Sequence, residues 1–193
     1  MDSSSTHQSK LHPHQKPLMM KHFLHAASTA SVRFLLAAWV GAAVLFVITS
    51  VAEQTSEHFD SLIRDQLATI RFPLYYQFGF ACLFGALIAC IVSIVTAPTT
   101  VRRKWVIVGL LTAISGGLMV ADFQWIYHPL MALISPAGQA RTPEFQSLHN
   151  WSRYANQTHI AIALFAAIVS CLTTNGQHKK KTMSPNEQSV QTS

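Results

Sequence analysis

Four stretches of this chain, residues 34–52, 72–101, 105–121 and 154–178, contain no Asp, Glu, Lys or Arg, and together they make up nearly half of its 193 residues. The hydrocarbon core of a bilayer, about 30 Å thick, is crossed by roughly 20 apolar residues in a helix. Each stretch has that length alone or with its flanks. The charge deficit belongs to the whole chain as well: 14 Lys plus Arg and 8 Asp plus Glu are about half the charged fraction of an ordinary soluble domain. These features exclude a soluble enzyme, a secreted disulfide domain and a disordered tail as readings of the whole. They predict an all-α, integral membrane four-helix bundle with spans at about 31–52, 73–97, 105–127 and 151–174.

The distribution of the remaining charge predicts orientation. Lys10, Lys16, Lys21 and Arg33 precede the first span, Arg102, Arg103 and Lys104 join the second to the third, and Lys179, Lys180 and Lys181 follow the fourth. The two other connections carry only Arg64, Arg71, Arg141 and Arg153. Cytoplasmic loops are the basic ones, so both termini are expected in the cytoplasm, with the protein in a plasma or inner membrane. The net charge of +6 is then a topology signal. A nucleic-acid partner would need a folded basic surface that the chain lacks.

Residues 1–30 and 175–193 are polar, rich in Ser, Gln, His and Lys, and read as disordered cytoplasmic tails flanking a membrane domain of residues 31–174. His7, His12, His14, His22 and His25 could bind a metal, but no Cys or acidic ligand lies at a fitting spacing. Ser50-Val51-Ala52 is shaped like a cleavage site behind an apolar region. The run from Phe34 to Val51 exceeds a usual signal core, however, and is expected to remain as a span. Between spans one and two, Phe59, Leu62, Ile63, Leu67 and Ile70 line one helical face opposite Glu57, Asp60, Arg64 and Asp65, which predicts a short amphipathic helix on the outer surface. Phe72-Pro73 is expected to open span two, proline fitting a helical first turn. Tyr75, Tyr76 and Trp125 fit the outer aromatic belt.

Small residues recur at intervals of three and four. Gly79, Cys82, Ala86, Ala89 and Ser93 in span two, Ala37 and Gly41 in span one, and Gly109, Ala113, Gly116 and Gly117 in span three predict close helix packing with no wide pore. Cys82, Cys90 and Cys171 fall within spans and read as apolar packing residues.

The chemistry-bearing residues cluster in two spans. Asp122 is the only acidic residue within a span, and intramembrane carboxylates face a partner or a cavity. On span four His149, Ser152, Asn156 and His159 share one helical face that continues inward as Ala163, Ala166 and Ser170. With Arg153 four residues after His149, these groups are expected to meet Asp122 near the outer surface. They form either a structural clasp or a site for a small ligand or ion. A metal- or haem-handling redox protein is the alternative, but His149 and His159 share one helix where haem ligation needs two. No complete hydrolase motif appears. No enzyme activity and no cofactor are expected. The implied partners are the lipid bilayer and an unidentified ligand, with a homo-oligomer left open.

The run Phe145-x-x-Leu148-His149-x-x-Ser152-x-x-x-Asn156 resembles the signature opening the last span of the four-helix membrane family called domain of unknown function 4149, which includes the transmembrane protein 205-like proteins. Phe72-Pro73-x-Tyr75-Tyr76 is similar to that family's entry to its second span. Trp39-x-Gly41 and Ile126-x-x-Pro129-x-Met131 resemble weaker signals. The resemblance covers about residues 31–174 and implies four membrane helices with span one retained. The family has no agreed biochemical activity to transfer.

Overall fold

The computed structural model describes residues 15–138 and 140–172. Five α-helices and one π-helical turn build it: α1 (Gln15–Thr55), α2 (Ser61–Thr96), α3 (Thr99–Asp122), the π turn Phe123–Tyr127, α4 (His128–Leu133) and α5 (Pro143–Cys171). Four helices are long and apolar enough to cross a membrane. The protein is an all-α, multi-pass membrane bundle in which each long helix neighbours the next and α5 returns to pack beside α1.

Burial follows a three-and-four rhythm in every long helix. Val32, Leu36, Trp39 and Ala43 face inward from α1, and Tyr76, Gly79, Leu83, Ala86, Cys90 and Ser93 from α2. Trp105, Val108, Thr112, Ser115, Met119 and Asp122 do so from α3, and Ser152, His159, Ala163, Ala166 and Ser170 from α5. A 3.5-residue average keeps one seam toward the partners when helices cross at a shallow angle. Trp39, in the first span, is completely buried, so span one contributes one wall of the core.

The helices are longer than the sequence predicts. At about 1.5 Å per residue, α1 with its 41 residues is about twice as long as the hydrocarbon is thick. It starts at Gln15, so residues 15–30 are helical where a disordered tail was expected; residues 1–14 and the basic tail after Leu172 lie outside the described residues. The expected surface helix is likewise no separate element. It is the start of α2, capped by Asp60, whose carboxylate accepts from the Ile63 amide at 2.8 Å, and it runs on through Pro73. Proline inside a membrane helix is tolerated because neighbouring groups and local adjustment satisfy the carbonyl it frees. Span four also begins early, at Pro143, where the Thr142 hydroxyl accepts from the Phe145 amide.

The small-residue seams are only partly internal. Gly79, Cys82, Ala86 and Ser93 line the core, whereas Ala37, Gly41, Ala113 and Gly117 face outward. A Cβ added at Gly79 would lie 2.3 Å from Met119 Cε and 2.6 Å from the Trp39 ring, while one at Gly41 would meet nothing within 4 Å. Cys82 and Cys90 are buried as packing residues, but Cys171, at the end of α5, is exposed.

Candidate functional site

Toward the end of the bundle that holds the α1–α2 and α4–α5 connections, α2, α3 and α5 each contribute polar side chains to one buried cluster. Asp122 is 1% exposed. Its Oδ2 accepts from the Tyr76 hydroxyl at 2.5 Å and from Asn156 Nδ2 at 3.0 Å. Asn156 Nδ2 also donates to the Ser152 carbonyl at 2.9 Å, and Asn156 Oδ1 accepts from the Tyr75 hydroxyl at 2.9 Å. His159 Nε2 completes the set, 3.1 Å from the same Oδ1.

These contacts fix the orientation of the Asn156 amide. Nδ2 faces a carboxylate and a carbonyl, both acceptors, so the amide orientation is determined. Its Oδ1 can only accept, so His159 must donate from Nε2. His159 Nδ1 and Asp122 Oδ1 are both buried without a hydrogen-bond partner among the described residues. The His159 ring lies nearly parallel to Trp39, with centroids 5.9 Å apart, so α1 supplies the apolar floor beneath the cluster.

Asp122 is the last residue of α3 before the π turn, and Tyr127 at the end of that turn is also buried. Five residues apart, the two would face different sides of a regular α-helix at about 100° per residue. The wider π turn, a form frequent at functional sites, lets both point inward.

Of the expected site residues, Asp122, Ser152, Asn156 and His159 come together. His149 and Arg153 do not join them. Both are exposed, and His149 stacks on Phe145 with centroids 5.8 Å apart. Arg153 follows inward-facing Ser152 by one residue, which turns it about 100° away. Among the described residues it makes no ion pair with Asp122.

Tyr75 and Tyr76, expected in the lipid-facing belt, are instead buried cluster members. The exposed aromatics near this end are Trp125, Trp151 and Tyr154, each more than 60% exposed. A signal for Tyr76 was present: stepping outward by three from Gly79 along the small-residue seam lands on it. The same continuation reaches Asp65, read from sequence as solvated and in fact 1% exposed. Asp65 accepts from the Gly138 amide at 2.9 Å and pairs with Arg141, tying the α4–α5 connection to α2.

His149 and Arg153 line a cleft beside the cluster, with a volume of about 450 Å³. It lies between α1 and α5, in the halves nearest the α1–α2 connection. Phe46, Val47, Val51 and Phe72 make it apolar on one side, while Tyr75, Ser152 and Asn156 present the edge of the buried cluster to it. At the opposite end of the bundle the same two helices are joined, because Arg33 donates to the Ser170 carbonyl at 3.1 Å.

Among the described residues no three His, Cys, Asp or Glu side chains converge as a metal site would require. Comparison of the sequence with protein-family models, curated proteins and solved structures finds no match.

Proposed function

We propose that this membrane protein is a non-enzymatic binder of a small amphipathic ligand, taken into the cleft between α1 and α5. The observation that carries this reading is the composition of the cleft. Its volume of about 450 Å³ falls within the range of small-molecule sites, which are mostly apolar with a few fixed polar groups. Here those groups are Tyr75, Ser152 and Asn156, held by the buried cluster, with Arg153 and His149 at the exposed rim. Val47 and Val51, on the wall from α1, are about half exposed, so an apolar chain can enter sideways from lipid. A polar head would sit at the depth of the exposed Trp151 and Tyr154, where interfacial aromatics lie.

Ten of the fourteen Lys and Arg residues precede the first uncharged stretch, join the second to the third or follow the fourth in sequence. On that count we place the termini in the cytoplasm and the cleft at the outer leaflet of a plasma or inner membrane. Kinship with the domain of unknown function 4149 proteins is proposed on the residues that suggested it: Trp39, Tyr75, Tyr76, Ser152 and Asn156, drawn from three separate motifs, meet in one cluster.

A diazirine-bearing fatty acid, photolysed with the purified full chain and mapped by mass spectrometry, tests the binding reading. Labelling should concentrate on residues 46–55 and 149–160 and fall when Val47→Trp fills the cleft. Even labelling of lipid-facing positions such as Ile88 and Val95 would refute it.

A further inference from the structure

The opposite end of the bundle holds a second feature. Arg33 is the last charged residue before the first uncharged stretch, and Lys104 the last before the third. Both therefore stand where the chain passes from headgroup to hydrocarbon. They converge on the end of α5. Arg33 Nε donates to the Ser170 carbonyl at 3.1 Å, and Lys104 Nζ donates to the same oxygen at 2.9 Å and to the Leu172 carbonyl at 2.5 Å.

Two nitrogens bonded to one oxygen at these lengths lie within 6.0 Å of each other. The carbonyl end of a helix offers them only about half a negative charge. Among the described residues neither forms an ion pair with an acid. Arg33 uses only Nε for its bond, so the two terminal nitrogens of its guanidinium make no hydrogen bond among the described residues. Phe34 and Leu172, beside these groups, are 72% and 59% exposed, as lipid-facing residues are.

We propose that Arg33 and Lys104, held together by the carbonyl end of α5, form a binding site for the phosphate of an anionic phospholipid. A guanidinium with free terminal nitrogens matches phosphate oxygens in bidentate fashion, and an ammonium adds a point charge. The exposed Phe34 and Leu172 lie where acyl chains would begin. This end is also the basic one, and cytoplasmic leaflets are rich in anionic lipid. The site is independent of the outer cleft.

The test uses the full chain in mild detergent, titrated with dioleoyl phosphatidylglycerol or dioleoyl phosphatidylcholine. Native mass spectrometry reads retained lipid, and thermal unfolding reads stabilisation. The wild type should retain the anionic lipid preferentially. Arg33→Gln and Lys104→Gln should each reduce that preference about fivefold, the effect of one basic residue at an anionic surface. Arg33→Lys, which keeps the charge but loses the guanidinium fork, should fall between the wild type and Arg33→Gln. Arg102→Gln with Arg103→Gln removes twice the charge of either single variant from the same end and should leave the preference intact.

If the Arg102 and Arg103 variant loses as much as the Arg33 and Lys104 variants, attraction is diffuse and there is no site. If Arg33→Gln and Lys104→Gln lower stability equally in both lipids without changing the preference, the two cations only cap α5. If inorganic phosphate abolishes the discrimination between lipids, the ligand is a soluble phosphate and the lipid assignment fails. Should Arg33→Gln not fold, Lys104→Gln and Arg33→Lys still decide.

Discussion

Asn156 on α5 donates its Nδ2 to Asp122 on α3 across 3.0 Å, and this bond is the pivot of a buried network reaching α2 through Tyr75 and Tyr76. Removing one member leaves another polar group buried without a partner, which costs about 1–3 kcal/mol. Asn156→Ala and Tyr76→Phe should each lower thermal stability in detergent by that order. Leu164→Ala, at a position 46% exposed, should cost less because lipid replaces the lost side chain. His149→Ala should also be mild, since that ring is exposed. Equal losses in all four variants would contradict the network.

Gly79 is a steric requirement. Any Cβ there meets Met119 Cε and the Trp39 ring within 2.6 Å, and overpacking of this kind typically costs about 1–3 kcal/mol. Gly79→Ala should lower the melting temperature, Gly41→Ala should leave it nearly unchanged, and Met119→Ala should partly rescue Gly79→Ala, because the methionine end is the closest obstacle. A double-mutant cycle on thermal unfolding measures the coupling.

Asp65 holds the connection between α4 and α5 through the Gly138 amide and Arg141. Asp65→Ala should release that connection, speeding amide exchange and proteolysis across residues 134–142 while the C-terminal half of α5 stays protected. Arg141→Ala should do less, because the bond to Gly138 remains.

Cysteines introduced at Ser4 and Ser193, both outside the described residues, should be shielded from an impermeant thiol reagent in intact cells. Cys171, exposed at the C-terminal end of α5, should be replaced by Ser first. Labelling of either introduced cysteine from outside would overturn the proposed orientation.

The sequence by itself determined the membrane bundle. The absence of charge over four long stretches is a solvation property of the residues, independent of which helix packs on which, and so it can be counted directly. The inward stripe of α5 was legible for a related reason: Ser152, His159, Ala163, Ala166 and Ser170 share one face of any regular helix. A helix face is a local property, fixed by spacing along the chain.

Tertiary structure decided what each face meets. Ala37 and Gly41 have the same small-residue spacing as Gly79 and Cys82, yet they point outward, because α1 turns its Trp39 stripe to the core instead. Tyr75 and Tyr76 look like interfacial aromatics until α3 brings Asp122 against them. Asp65 looks solvated until α2 continues unbroken through Pro73 and Arg141 folds back over it. The exposure of a side chain depends on the partner surface that covers it, and that surface comes from residues far away in sequence. The cleft between α1 and α5 is likewise a property of two helices 88 or more residues apart, joined at one end by Arg33 and Ser170 and separated at the other, and no single segment encodes it.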